Sequence, residues 1–512
     1  MTTLGTERQT LVQRALAGHA AIGLLASALL YILALTGTLV VIHDRWQRWE
    51  QPEIAEMTTL SPVAAQAAMQ AALAQDTAKG KPPTTHLYIR MPNAALPRAV
   101  VTTDHGGWYV DGVGRIAGRE AHSWTEMVIG LHEYLHLPQI WGMMLVGALG
   151  VALAALLVTG VLAHPRIVRD AFRLRTRHDP QIARADWHNR LGVWTLPFAL
   201  AVTLTGAFIG LGSAGFTVLA RAYTGGDLEK VYAPIFGHEP APNAKAAALP
   251  DVAAALRLLG NRVAQAKPTY VIVHDPGTRG QHIQIIAEHP RRLIYGESYR
   301  FDARGQWRGP VGLSDGAVGQ QVAASAYNLH FGNYGGLPVE IAYMLLGLAL
   351  CVVTSTGTTL WLCKRRRRGL GSDRLDACWT AVIWGAPLAL ILTAWLRGGF
   401  GPDALLVAGF WGMLVALVLL AVVRPGWIDP VRMRTVVLAC LIATGLAHAA
   451  LLHPREPAVL AIDGAMIAGS LITFGVLRRF RASKASRTFE SPFQDGGRRL
   501  LDAEGQNPRR EG

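Results

Sequence analysis

Four histidines recur at matched positions in this chain, and paired imidazoles at membrane depth have the chemistry to hold a metal. Residues 18–37 read GHAAIGLLASALLYILALTG, and residues 187–206 read WHNRLGVWTLPFALAVTLTG. Without a gap, His19 aligns with His188, Gly23 with Gly192, and Thr36-Gly37 with Thr205-Gly206. A second repeat relates LHEYLHLPQIWGMMLVGALGVALAALLVTG, which ends at Gly160, to NLHFGNYGGLPVEIAYMLLGLALCVVTSTG, which ends at Gly357. There Leu-His pairs end at His132 and His330, and each is followed by a Leu-Pro. Ionisable side chains at membrane depth are costly and by default mark a function. Repeats of this kind imply a pseudo-twofold axis that draws matched residues together. Neutral imidazoles paired in this way form an axial set for a haem iron in the core of a helix bundle. Two pairs, one per leaflet, predict two b-type haems with bis-histidine ligation: His19 with His188 on the inner side, His132 with His330 on the outer. His19 stands 17 residues before Thr36, or ~25 Å along a helix, which leaves room for two macrocycles. The competing reading is interfacial anchoring, which does not account for the duplicated spacing.

Other histidines compete for these places. His136 lies four residues after His132, an offset that keeps both on one helical face, and His164 closes the second apolar run; both are alternative ligands. His43 and His122, like these two, have no counterpart in the repeat. His86, His105, His238, His274, His282 and His289 read as surface or satisfied core residues of the outside segments, and His448 and His453 as interfacial. The glycines of the repeat, including Gly23, Gly37, Gly147, Gly150, Gly192, Gly206, Gly347 and Gly357, suit either a flat porphyrin between helices or close helix packing.

The elements that position these residues are membrane spans. Of 512 residues, 51% are apolar and 16% charged, below the roughly 25% charged content of soluble domains. Eight apolar runs, at about 20–42, 139–163, 191–212, 338–363, 377–396, 403–423, 435–453 and 458–477, approach the ~20 residues that cross a bilayer as a helix. The net charge of +14 concentrates in 164–190, 364–374, Arg424 to Arg434 and the tail from Arg478. Alternate connections are therefore basic, which predicts an even number of spans with both termini cytoplasmic and argues against a nucleic-acid partner. The first run lacks a small-residue cleavage site and reads as an uncleaved span. Cys351, Cys363, Cys378 and Cys440 lie in or at the ends of spans, and there is no CxxC or CxxCH, so disulfides and covalent haem attachment are not expected.

The expected fold is a mostly α membrane protein with a four-helix haem-binding core from a duplicated unit and two small α+β domains outside. Its order is a cytoplasmic N-terminus with the first span (1–43), a periplasmic domain (44–138), span two (139–163), a basic cytoplasmic loop (164–190) and span three (191–212). A second periplasmic domain (213–337), span four (338–363), a basic loop (364–376), a four-span membrane region (377–477) and a cytoplasmic tail (478–512) follow. In the first outside segment 62–75 predicts a helix, and HLYIRM, RAVVTT and WYVDG predict strands. In the second, 250–266 is the helix, and TYVIV, HIQIIA and ESYRFD are the strands.

The pattern His-x3-Gly…Thr-Gly in spans one and three, LHxxL before span two, and two outside helix-plus-strand domains together resemble the PepSY-associated transmembrane family over about 1–370. Members include ferrisiderophore reductases of the FoxB type and other iron-regulated inner-membrane proteins of Gram-negative bacteria. The resemblance implies haem b among the four core spans and electron passage from cytoplasm to periplasm. It also implies reduction of a ferric siderophore, which makes the protein an oxidoreductase of iron acquisition. His19, His188, His132 and His330 fall at the family's recurrent histidine positions. No GxGxxG follows a predicted strand and opens a helix, so no flavin or nicotinamide site is expected and the electron donor is a cytoplasmic reductant or a quinol. Two other functions fit the sequence: a non-enzymatic module whose PepSY-like domains bind a peptide or protease, and an iron or siderophore transporter.

Overall fold

The computed structural model describes residues 10–164, 180–237, 240, 242–264, 266–288, 293–294, 296–397, 404–454 and 456–478. The basic stretch at 165–179, the tail from 479, His238 and His289 lie outside the described residues. Among the described residues eight helices are long and apolar enough to cross a membrane. They are α1 (Leu11–Val40), α5 (Gln139–Ala163), α7 (Leu196–Tyr223), α11 (Gly336–Arg367), α12 (Asp373–Leu396), α13 (Ala404–Val423), α14 (Pro430–Leu452) and α15 (Pro457–Arg478). The chain is a mostly helical membrane protein. Long apolar side chains on α5 such as Ile140, Trp141, Val151 and Val158 are exposed. In lipid this costs nothing, because a helix already satisfies its own backbone polar groups.

Local signals explain where these helices start. Thr10 caps α1 with its hydroxyl on the Gln13 amide while Gln13 returns a bond to the Thr10 amide. The helix of the first span therefore begins at Leu11, nine residues before the apolar run at about 20–42. The third span differs from the first, although their sequences align. His188 sits on a separate helix, α6 (Pro180–Trp194), and the chain breaks at Thr195 before α7. Pro197 supplies the reason, since it has no amide to donate and crowds the preceding turn.

The segments between spans one and two and between spans three and four each fold as a helix-plus-strand unit, and the two units share one sheet. Strands β1 (His86–Arg90), β2 (Ala99–Thr103), β3 (Gly106–Val110) and β4 (Ile116–Arg119) come from the first segment. The second gives β5 (Lys267–His274), β6 (His282–Glu288), β7 (Glu297–Phe301) and β8 (Trp307–Pro310). Their order is β4-β3-β2-β1-β5-β6-β7-β8, with all neighbours antiparallel. At the seam Leu87 faces Val273 and Ile89 faces Val271. Each half alone would expose its first strand as an edge, and mutual pairing removes both edges. It also lets α3 (Pro62–Ala78) and α9 (Val252–Arg262) cover one shared core, in which Leu87, Ile89, Val271 and Val273 pack with Ala68, Met69 and Leu259. The spacing did not reveal β4 and β8, because IAGR and WRGP are too short to show alternation.

The last four spans divide. One compact unit runs through Asp429 and the other begins at Pro430. Within the first, α12 packs on the repeat: the Tyr31 hydroxyl donates to the Ile383 carbonyl at 2.8 Å and Trp379 Nε1 to the Ser355 carbonyl at 3.2 Å. Within the second, His448 is buried rather than interfacial, and its Nδ1 lies 2.9 Å from Asp463 Oδ2.

Candidate functional site

The structure brings the four repeat histidines together as two pairs. His19 on α1 and His188 on α6 have ring centroids 6.4 Å apart, with planes crossed at 82°. His19 Nδ1 lies 3.0 Å from the Leu156 carbonyl and 3.2 Å from Thr159 Oγ1, both on α5. His188 Nδ1 makes the matching contacts on α11, 2.9 Å to the Val353 carbonyl and 3.2 Å to Thr356 Oγ1.

The second pair is built from short helices that precede spans two and four. α4 (Ser123–Glu133) presents His132 and α10 (Val318–Phe331) presents His330. Their centroids are 6.1 Å apart and their planes differ by only 27°. His132 Nδ1 bonds the Leu33 carbonyl of α1 at 3.1 Å. His330 Nδ1 bonds the Val202 carbonyl of α7 at 3.0 Å and Thr205 Oγ1 at 3.1 Å. Leu33 lies 14 residues after His19 on α1, so the two pairs are separated by about 21 Å along that helix.

These bonds fix the tautomer. A carbonyl oxygen only accepts, so Nδ1 must carry the proton in all four rings. Nε2 is left with its lone pair, and among the described residues the hydrogen bonds of these rings run through Nδ1. An imidazole held through Nδ1–H with a bare Nε2 is the usual form of a metal-ligating histidine.

Each Thr-Gly step of the sequence forms the bed of one ring. A Cβ placed on Gly37 would fall 2.6 Å from His132 Cε1, and one on Gly206 would fall 2.8 Å from His330 Cε1. Gly160 lies under His19 at 3.3 Å and Gly357 under His188 at 3.2 Å by the same measure. The other repeat glycines have different roles. Gly147 and Gly150 let α5 approach Gly210 and Ala207 of α7, and Gly347 packs against Thr38. A Cβ placed on Gly23 would meet only Leu156, at 3.7 Å, and one on Gly192 would meet no described atom of another element within 4 Å.

The alternative ligands stay out of the pairs. His136 has φ 54° in the turn after α4, where Nε2 donates to the Met127 carbonyl at 2.8 Å, so the nitrogen a metal would use is occupied. His164 caps α5, and its backbone N–H bonds the Val161 carbonyl; none of its ring contacts places it with His19 or His188. His43 donates Nδ1–H to the Val40 carbonyl and ion-pairs with Asp44, which Arg90 also holds at 2.6 Å. His122 sits 2.7 Å from Glu120 and 3.2 Å from Glu126. Burial opposes its charge, but the two carboxylates lift its pKa to about 10.

A fit test for haem rests on the ring pairs themselves. Two imidazoles that share one metal atom through bonds of about 2 Å have centroids about 6 Å apart, and both pairs meet this. Among the described residues no group of three or more histidine, cysteine, aspartate or glutamate side chains is placed to hold a metal ion. Two imidazoles per pair would suit a metal whose remaining positions a macrocycle fills.

Comparison with known proteins places this geometry in context. The family described as the PepSY-associated TM region matches residues 16–364, which include all four paired histidines. The uncharacterized protein PA4219 of Pseudomonas aeruginosa is 28% identical over 253 residues, which cover 47% of this chain and 64% of that protein. The matched part thus spans less than two thirds of that relative's own length.

Proposed function

The chain belongs to the PepSY-associated TM region family, and on that premise we propose that it is a transmembrane haem b electron relay. It takes electrons from the cytoplasmic side and reduces a ferric siderophore, or a related acceptor, in the periplasm. The observation that carries this reading is the pairing of four imidazoles in the Nδ1–H tautomer, with ring centroids 6.4 and 6.1 Å apart. His19 and His188 would hold the inner haem; His132 and His330 would hold the outer one. Bound there, haem b supplies reversible one-electron transfer.

The chain's own residues hold and orient. Leu156, Val353, Leu33 and Val202 accept the Nδ1 protons, and so keep Nε2 basic and aimed away from each supporting helix. The apolar walls of α1, α5, α7 and α11 exclude water. Reduction releases the metal because siderophore oxygens are hard donors that favour Fe(III) over Fe(II). In this reading the protein lies in the bacterial inner membrane with both termini cytoplasmic and the eight-stranded sheet in the periplasm. The basic run KRRRRGLGSDR at 364–374 supports that orientation.

Mixing tests the reading. Purified protein reduced with limiting dithionite is combined with a ferric trihydroxamate and a ferrous-specific chelator. The account expects loss of the reduced haem band in step with formation of the ferrous chelate. A reduced band that persists in excess ferric trihydroxamate contradicts the reductase assignment.

A further inference from the structure

The two histidine pairs differ in one respect that the repeat does not suggest: the inner planes cross at 82° and the outer planes at 27°. The supports of the rings differ too. His19 and His188 each share one Nδ1–H between a carbonyl and the threonine three residues further along the same helix. Those threonine hydroxyls are already turned as donors into their own helix, Thr159 to Ala155 and Thr356 to Val352, each at 2.6 Å. Their remaining lone pairs therefore face the imidazole. One acceptor leaves a ring free to swing about its χ2 torsion; two acceptors set three residues apart fix the direction of the N–H and with it the plane. At the outer site His330 has both acceptors. Among the described residues His132 Nδ1 has the Leu33 carbonyl alone; Thr36 donates to Ile32 and Leu33 as the other threonines donate into their own helices, but makes no bond to this ring.

We propose that Thr159 and Thr356 are positioning residues that lock the inner imidazole planes crossed, so that the inner and outer haem sites are electronically distinct. This rests on the haem reading above. In a low-spin ferric centre each axial imidazole raises the iron d orbital that its π system overlaps. Near-parallel planes act on the same orbital and split the pair strongly. Crossed planes act on both, leave the pair nearly degenerate and give a much more anisotropic g tensor. The plane angle is thus a second-shell lever on the metal.

Low-temperature EPR of the oxidised full-length protein, with haem counted on the same sample by pyridine haemochrome, tests this. The expected spectrum has two low-spin ferric components of about equal spin: a single large-g feature from the inner site and a rhombic three-feature signal from the outer. Thr159→Val with Thr356→Val is expected to move the large-g component toward the rhombic type. Thr159→Ser with Thr356→Ser, which keeps the oxygens, is expected to preserve it. Thr36→Val, which removes a hydroxyl that does not touch His132, is expected to leave both components in place. Two components of the same type in haem-replete protein overturn the inequivalence. Serine variants that behave like the valine variants show that the methyl group matters rather than the hydrogen bond, and overturn the positioning role. Protein without haem overturns the reading beneath it, and the haem count separates that outcome from the others.

Discussion

Gly37 lies so close under the ring of His132 that a Cβ built on it would fall 2.6 Å from Cε1. Real side chains do not approach that closely, so the imidazole occupies space that only a glycine at this position leaves open. The ring cannot simply move aside, because its Nδ1 is tied to Leu33, one turn earlier on the same helix.

Gly37→Ala and Gly206→Ala should therefore displace the outer histidines, at a cost of about 1–3 kcal/mol for overpacking. Gly160→Ala, with 3.3 Å available, should be milder. Haem content and the reduced spectrum of each variant check this. Equal loss in all three would show that the glycines act through helix packing rather than through the rings.

Glu50 should matter for His132 although it lies at the far end of α4. The end of α2 (His43–Glu50) buries its carboxylate against the start of α4, where it accepts from the Trp124 and Thr125 amides at 3.1 and 2.7 Å and from the Thr125 hydroxyl at 2.6 Å. Hydrogen bonds to a charged group are worth about 1.5–3 kcal/mol each. Glu50→Ala should thus loosen α4 and deplete the outer haem while the inner one stays. Uniform loss of both haems would point to general misfolding instead.

The shared sheet predicts that its two halves unfold together. Leu87→Ala, at the seam opposite Val273, removes a fully buried side chain and should cost about 2–5 kcal/mol. Limited proteolysis should then open the segments around 99–119 and 282–310 in parallel. Protection of the second half with the first half cleaved would mean two independent domains.

His122 gives the region before α4 a pH dependence of known sign. Its folded pKa is raised from 6.5 to about 10 by Glu120 and Glu126 against the effect of burial. Its contribution to stability is complete below about pH 6.5 and is lost as the pH rises toward 10. Thermal unfolding in detergent should weaken over this window in the parent and less in His122→Gln. Parallel slopes for the two proteins would contradict the assignment.

Much of this was legible in the residues, and what was not has physical causes. The uncharged run bounded by Pro138 and His164 coincides with the helix Gln139–Ala163. The histidine pairing followed from the repeat alone, since matched spacing on duplicated helices brings matched side chains to a common axis. The role of Thr-Gly did not follow, although both residues were visible as alignment markers. A glycine that receives a ring from another helix looks, in sequence, like one that packs helices. The joining of β1 to β5 was hidden for a related reason: strand pairing between segments 180 residues apart leaves no periodic trace in either one. The break at Thr195 was signalled by Pro197 but masked by the alignment with the continuous first span.

In the proposed relay His19 pairs with His188 and His132 with His330, each pair holding one haem. The direct measurement is haem per polypeptide, by pyridine haemochrome, in the parent, the four single alanine variants and the His19→Ala/His188→Ala and His19→Ala/His132→Ala doubles. The account predicts two haems in the parent, one in every single variant, one in the same-pair double and none in the cross-pair double. A parent without haem, or a same-pair double that loses both haems while the single variants lose one each, contradicts it.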